Sequence, residues 1–560
     1  MDYKKHIATK LANELISIQE IQDLLVVPPE IEMGDLSLPC FKFAKALRKS
    51  PVMIAEDFKQ KFTFDDYISS VENVNGYLNF KFNKTLFVSN LLQELEDKGE
   101  NYGKSDLGNG KTICIDYSSI NIAKPFHIGH LSTTVIGGSL YKIYKFLGYN
   151  VVGINHLGDY GTQFGKLIYA YKAWGNREDV EKYGVKELMR LYVKYHQEAK
   201  EHPEMDDVAR GYFKDIENGD KEANELFVFF KDLTLKEVSK TYEKLNITFD
   251  SYNGESFYND KMDIVVKELE EKGLLVESEG AKVVMLDEYN MPPCIILRSD
   301  GASLYATRDL AAAYYRKNMY DFDKCLYVVA YQQNLHFKQI FKVLELLGKP
   351  WAKDMEHVAF GMVSLEDGAM STREGKVVFL DEVLQKSCEK CLGVINEKNP
   401  DLENKEQIAE TVGVGAVIFG ALYGGRIKDI TFSYDKVLNF DGETGPYVQY
   451  ACTRCKGVIR RAGNGGDYSV DTITQDEYNL AQELAKFPEI VKSAGEKREP
   501  SIITRYSVDL AQAYNKFYFN CRILGEEDNI KNYRLALTKA SLNVLTQSLA
   551  LLGINVPDKM

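Results

Sequence analysis

Several features are missing from this 560-residue chain, and each absence removes a class of function. No window approaches 18 apolar residues, so no membrane-spanning helix is expected. The start, Met1-Asp-Tyr-Lys-Lys, has no apolar signal-peptide core, which points to the cytoplasm. Cationic excess is also missing: 69 Lys+Arg stand against 82 Asp+Glu, a net charge of −13. That argues against a simple basic nucleic-acid-binding module. There is no internal repeat and no low-complexity tract. Nine cysteines are scattered, and the pairs Cys388/Cys391 and Cys452/Cys455 lie in helix-like sequence with no histidine nearby. Free thiols in a reducing compartment fit better than zinc ligation or disulfides. A true P-loop is missing too. Gly108-Asn-Gly-Lys-Thr112 has Ser105 at the first glycine position and precedes a strand instead of following one.

What is present suggests about two to four domains. Residues 1–106 read as a small α/β domain: Ile7 to Leu25 has helical apolar spacing, Glu32 to Pro39 is turn-rich, and Asn75-Gly76 signals a hairpin. Residues 107–365 alternate strand and helix. Thr112 to Tyr117, Val151 to Asn155, Cys325 to Ala330 and Val358 to Val363 read as strands, and Arg298 to Ser303 as a hairpin turn. The pattern predicts a doubly wound parallel sheet, with a charged helical insertion over about 167–250. Residues 366–440 hold a polar loop and a connecting region. Residues 441–560 predict a helical bundle, and from Asp441 onward 15 Lys+Arg balance 15 Asp+Glu. A neutral bundle of this kind can still turn a basic face to RNA.

The most chemically loaded stretch is Cys114-Ile-Asp-Tyr-Ser-Ser-Ile-Asn-Ile-Ala-Lys-Pro-Phe-His-Ile-Gly-His130. A strand runs through a polar loop into a helix start. The first backbone N–H groups of a helix lack partners and carry the positive end of its dipole, so the place suits phosphate. Lys124, His127 and His130 add donors there. A second loop, Gly361 to Lys376, carries Ser371, Thr372, Arg373 and Lys376 as anion-binding groups.

These two segments resemble the signatures of class I aminoacyl-tRNA synthetases. His127-Ile-Gly-His130 matches the HIGH signature letter for letter, and Ala369-Met-Ser-Thr-Arg373 matches KMSKS loosely. The longer context resembles the arginyl-tRNA synthetase family in particular: Ser118 to Leu131, Leu157 to Gly165, Tyr305 to Asp309, Gln332 to His336, Gly442 to Ala451 and Leu551 to Met560 follow the family's order.

The resemblance implies arginine–tRNA ligation: activation of L-arginine with ATP, then transfer to the 3′ end of tRNA(Arg). It implies catalytic roles for Lys124, His127, Gly129, His130, Ser371 and Arg373. ATP would meet His127, Gly129, His130, Asp159, Gln163, Met370 and Ser371. The arginine pocket would use Asp116, Asn121, Glu255, Tyr305, Asp309 and Gln333, a set suited to a flat cationic fork. tRNA would meet Tyr447, Tyr450, Arg454 and Met560 through stacking and charge. Aromatic Tyr514, Phe517 and Tyr518 are further surface candidates, with bundle core the better account of Phe517. Mg²⁺ would travel with ATP, no dedicated metal cage is expected, and a cytoplasmic monomer is implied. Ala369 replaces the family's usual lysine and Thr372 its second, so Lys124 and Arg373 are expected to share the phosphate-neutralising role.

Two rivals remain at this point. A synthetase for cysteine would need zinc ligands, and one for glutamate would need basic residues in place of Asp309 and Glu255. A non-catalytic tRNA-binding relative would fit the altered Ala369 loop, against which stand the intact His127, His130 and Lys124.

Overall fold

A computed structural model describes residues 2–298, 305–365 and 378–560. The expected turn at Arg298–Ser303 and the loop carrying Ala369, Met370, Ser371, Thr372, Arg373 and Lys376 lie wholly or largely outside the described residues.

The chain divides into two compact units. One comprises residues up to Tyr102 with Gly457–Lys486 and Gln512–Val544. In it, strands Ile68–Val74 and Tyr77–Phe82 form the hairpin signalled by Asn75-Gly76, both with positive φ. Leu36–Pro39 adds a third strand in the stretch expected to be turn-rich. The expected helix from Ile7 to Leu25 is broken into Tyr3–Leu11 and Ile18–Leu24. Polar side chains make the break: the Asn13 side chain accepts from the Leu15 N–H at 2.9 Å, and Ser17 and Glu20 form a reciprocal capping box. In the same unit, the Asp35 carboxylate accepts from the Phe82 N–H (2.7 Å), Tyr478 (2.7 Å) and Gln482 (2.8 Å).

The other unit, Gly103–Lys456 with Phe487–Ala511 and Leu545–Met560, holds the parallel sheet. Its strands are β1 (Thr112–Asp116), β2 (Asn150–Ile154), β3 (Lys324–Tyr327) and β4 (Met355–His357), ordered β4-β3-β1-β2 and all parallel. The chain therefore winds outward from β1 in both directions, as expected of a doubly wound sheet, and the ligand crevice belongs at the carboxyl end of β1. β4 ends at His357, whereas the sequence put the strand at Val358 to Val363. Val363–Leu365 instead pairs in parallel with Ile430–Phe432. A three-stranded antiparallel sheet, Leu275–Ser278, Ala281–Val284 and Cys294–Leu297, was not foreseen.

The helices around the crevice are α1 (Leu131–Phe146), α2 (Thr162–Trp174), α3 (Lys221–Lys244, the last of the insertion), α4 (Tyr305–Tyr320) and α5 (Asn334–Leu346). α6 (Leu380–Lys398) and α7 (Lys405–Tyr423) follow. α1 is buried nearly all round, so its short glycine and hydroxyl side chains let it lie close against its neighbours. The helices beyond 441 are Gly445–Ala462, Gln475–Lys497, Ser501–Asn520 and Asp528–Leu551, matching the expected all-helical end. No described helix is long and apolar enough to cross a membrane.

Candidate active site

Three segments are knitted together at the carboxyl end of β1. The loop after β1 binds the loop after β2 through Ile122 N–H to the Gly158 carbonyl (3.1 Å) and Gly158 N–H to the Ile120 carbonyl (2.8 Å). A Cβ at Gly158 would run into the Asn121 amide oxygen, so a side chain there would have to push Asn121 aside. Glu255 joins through its N–H to the Leu157 carbonyl (2.9 Å).

His127 and His130 sit at the turn into α1, ring centroids 4.0 Å apart. His127 Nδ1 accepts from the Gly129 N–H (3.1 Å), and His130 Nδ1 accepts from the His127 N–H (3.2 Å). Since each Nδ1 is an acceptor, each ring carries its proton on Nε2. Burial holds His127 down at about 4 and His130 at about 3. Both are thus neutral imidazoles offering Nε2–H donors. Phe126–Ile128 also pairs with Val378–Leu380: Ile128 N–H meets the Val378 carbonyl (3.2 Å) and Leu380 N–H the Phe126 carbonyl (2.8 Å). The chain just after the second signature loop is therefore fastened beside the first signature.

An acidic pocket adjoins this. Asp309, in the second turn of α4, accepts from His336 Nε2 at 2.6 Å and lies 3.9 Å from His156 Nε2. Burial pushes its carboxyl up, but the His336 hydrogen bond and neighbouring cationic groups outweigh this and hold it below the usual range. Glu255 is different: burial, with Asp309 and Asp159 nearby, pushes its carboxyl up to about 7 against the pull of Arg308 and Lys124. Asn121, Tyr305 and Gln333 are exposed at this end, Tyr305 at 63 %. Gln163 and Gly129 are half-buried, as is Lys124.

Two expected ligands sit deeper than the sequence implied. Asp159 is 1 % exposed, with its carboxylate taken up by Lys231 (2.6 Å) and by the Ser256 N–H and hydroxyl (2.9 and 2.8 Å). Its carboxylate thereby ties the loop after β2 to α3 and to the Glu255 segment. Asp116 is buried against Arg316 (2.7 Å) and Ser119 (2.6 Å). Arg316 also reaches toward His156 Nδ1 at 3.4 Å, so a polar chain runs His336, Asp309, His156, Arg316, Asp116. Among the described residues no cluster of three His, Cys, Asp or Glu could hold a metal, and none of the nine cysteines is in a disulfide.

The family models match the chain in three consecutive stretches. Residues 90–434 match class I (R) tRNA synthetase catalytic domains, 448–560 the DALR anticodon-binding domain, and 1–82 the arginyl-tRNA synthetase N-terminal domain. The chain belongs to the arginyl-tRNA synthetase family. It is 52% identical over 565 aligned positions to an arginine–tRNA ligase of Clostridium beijerinckii, covering all of both chains. It is 50% identical to one of Alkaliphilus metalliredigens, again over the full length of both. Among solved structures, arginyl-tRNA synthetase of Thermus thermophilus superposes with a TM-score of 0.83 at 27% identity, covering 96% of each chain.

As an arginyl-tRNA synthetase, the chain has further residues that bear on the site and were not singled out from sequence: His156, His336, Arg316, Arg308 and Lys231. Arg316 lies seven residues after Asp309, on the same face of α4, and is 1 % exposed, which is rare for an arginine. Elsewhere in the chain, the Arg454 guanidinium lies 4.9 Å from the centre of the Tyr450 ring, which is 42 % exposed, and Tyr447 is half-buried. Met560 packs against the cluster of Cys391, Ile395, Ile408, Ala409 and Val412. Tyr514 and Phe517 are fully buried, so both are core, and Tyr518 is half-buried.

Proposed function

We infer that this chain joins L-arginine to the 3′ end of tRNA(Arg) at the expense of ATP. The observation that carries the reading is the juxtaposition of two carboxylates, Asp309 and Glu255, with two neutral imidazole donors, His127 and His130, at the end of one sheet. A guanidinium needs acidic partners in a confined place, and a polyphosphate needs donors and positive charge beside it.

In the first step an oxygen of the arginine carboxylate attacks the α-phosphorus of ATP. The bond to the β-phosphate oxygen breaks, giving arginyl-adenylate and pyrophosphate. Such a step calls for positioning and charge stabilisation more than covalent help from the protein. Nε2–H of His127 and of His130 donates to phosphate oxygens, and Lys124 and Arg373 supply positive charge. Gly129 lets the nucleotide approach the helix start, and Gln163, Met370 and Ser371 line the nucleotide side. Asp309, Glu255 and Tyr305 take the guanidinium. Asn121 and Gln333 orient the rest of the amino acid. Asp116 acts through Arg316, and Asp159 through its hold on the loop after β2. In the second step a terminal ribose hydroxyl of tRNA attacks the carbonyl carbon, and AMP leaves.

Mg²⁺ rides on the phosphates of ATP in this scheme. Residues 1–106 touch the tRNA elbow, residues 107–365 with the insertion at about 167–250 and the 366–440 segment carry the chemistry, and residues 441–560 read the anticodon through Tyr447, Tyr450, Arg454 and Met560. The working form is a cytoplasmic monomer. A charged pocket of this kind rejects uncharged analogues without an editing domain, because its buried carboxylates would be left unpaired.

The test is arginine-dependent ATP–pyrophosphate exchange, with and without tRNA. Exchange with arginine in the presence of tRNA supports the scheme, and no exchange under either condition overturns it. Lys124→Glu should abolish exchange; near-normal exchange removes Lys124 from the phosphate site.

A further inference from the structure

Three residues in the loop after β1 hold left-handed backbone: Ser118 at φ +68°, Ser119 at +44° and Ala123 at +58°. None is glycine, so each conformation is disfavoured alone and persists only where its surroundings over-determine it. This loop carries Asn121 and Lys124 and delivers His127. Much of what holds it comes from α3, an element that the mechanism does not use.

The contacts fall on one buried face of that helix. Thr234, fully buried, accepts from the Ala123 N–H at 3.1 Å and donates to the Phe230 carbonyl at 2.7 Å. Lys231 binds Asp159 at 2.6 Å and so holds the loop after β2. Tyr242, 3 % exposed, heads a directional chain. Its hydroxyl accepts from the Asn155 amide (3.0 Å) and donates to Ser118 Oγ (2.7 Å), a direction fixed from the far end, where Thr134 spends its only proton on the His130 carbonyl. Ser118 then donates to Thr134 Oγ1 (2.9 Å), whose proton goes to the His130 carbonyl (2.7 Å). One hydrogen bond from α3 fixes a strained residue directly before Lys124. The other reaches, through two hydroxyls, the backbone of a signature histidine.

The geometry points to α3 as a brace for the signature loop, with Thr234 and Tyr242 as positioning residues for the adenylation step. Neither touches substrate. Each fixes a backbone conformation that the loop would otherwise leave, and with it the place of Lys124, His127 and His130. The inference rests on those three residues handling ATP. Lys124→Glu tests that footing separately: if Lys124→Glu is inactive while the brace variants behave as wild type, the brace alone is refuted.

Thr234→Val keeps the volume and removes the acceptor, and Tyr242→Phe removes one oxygen. In ATP–pyrophosphate exchange with saturating tRNA, each should lower kcat by about tenfold or more, since misplacements near 1 Å cost up to about 10²-fold. The arginine KM should move less than kcat, because Asp309, Glu255 and Gln333 stand on other segments and only Asn121 rides on the braced loop. Thr234→Ser, which keeps the hydroxyl, should restore kcat. Rates are referred to the folded fraction by circular dichroism. If Thr234→Val does not fold, Tyr242→Phe carries the test. Wild-type kcat in folded variants overturns the brace. So does a rise in arginine KM that accounts for the whole loss, or a Thr234→Ser enzyme as slow as Thr234→Val.

Discussion

Glu255 and the histidine pair titrate in opposite senses, and that separates arginine binding from chemistry. Glu255 is held up at about 7, mainly by burial. Its ionised form attracts a guanidinium and its protonated form does not. Lowering pH from 8 to 6 should therefore raise the arginine KM, with kcat/KM falling toward tenfold per pH unit below 7. Glu255→Gln should have a high arginine KM at every pH. His127 and His130 are already neutral across that window, held at about 4 and 3. At saturating arginine, kcat should consequently stay flat from pH 8 to 6. A flat arginine KM would remove Glu255 from the pocket. Because the histidine values are depressed, their linkage contribution to stability is full above about 6.5 and is lost as pH falls through about 4. As a single deletion, His127→Ala should lower exchange kcat by about 10²- to 10³-fold, the usual loss for one preorganised donor. A loss under about threefold would show that His127 is not a phosphate donor.

Elements were legible where pattern and capping agree. β1 and β2 fall within one residue of expectation and α1 follows the polar loop as expected, because an apolar run, a Gly-containing turn and a helical stripe all point the same way. The bundle was clear as a run of helices, though its last helix starts at Asp528. The misses have local causes. Ile7 to Leu25 keeps one apolar period across a break that Asn13 and Ser17 impose through hydrogen bonds that periodicity does not register. β4 is three residues long, too short to announce itself against the apolar stretch that follows. Signature residues were legible at the site because glycine, histidine and lysine at fixed spacing have few other uses together. The partners that hold them were not. Arg316, Lys231, Thr234 and Tyr242 approach from helices about 70 to 200 positions away, and nothing local marks which face of a helix meets which loop. The Ser17 cap offers an element-level check. Ser17→Ala should cost about 1 kcal/mol, seen as roughly fivefold faster amide exchange confined to Ile18–Leu24. Unchanged exchange in those amides would mean that the capping box does not set this helix's start.

A net charge of −13 on the whole molecule sets a problem for an RNA ligand. Averaged over its surface the protein repels a polyanion, so tRNA must be held by local cationic and aromatic patches against an adverse background. The patch at Tyr450 and Arg454, with guanidinium and ring 4.9 Å apart, has the composition to stack a base and neutralise a phosphate together. Each phosphate contact releases counterions, so the tRNA KM should rise steeply as salt goes from about 50 to 200 mM, with a log–log slope near 0.7 to 0.9 per contact. Arg454→Ala should raise the tRNA KM and lower that slope by about one contact's worth, and Tyr450→Ala should raise the KM while leaving the slope nearly unchanged, because stacking carries no counterion term. Neither should alter kcat for exchange at saturating tRNA, since both residues lie on the helix Gly445–Ala462 and not on the segments that hold the acidic pocket or the imidazoles. Equal slopes in wild type and Arg454→Ala would place the phosphate contacts elsewhere. A salt-insensitive tRNA KM would mean that shape and stacking alone overcome the protein's negative field.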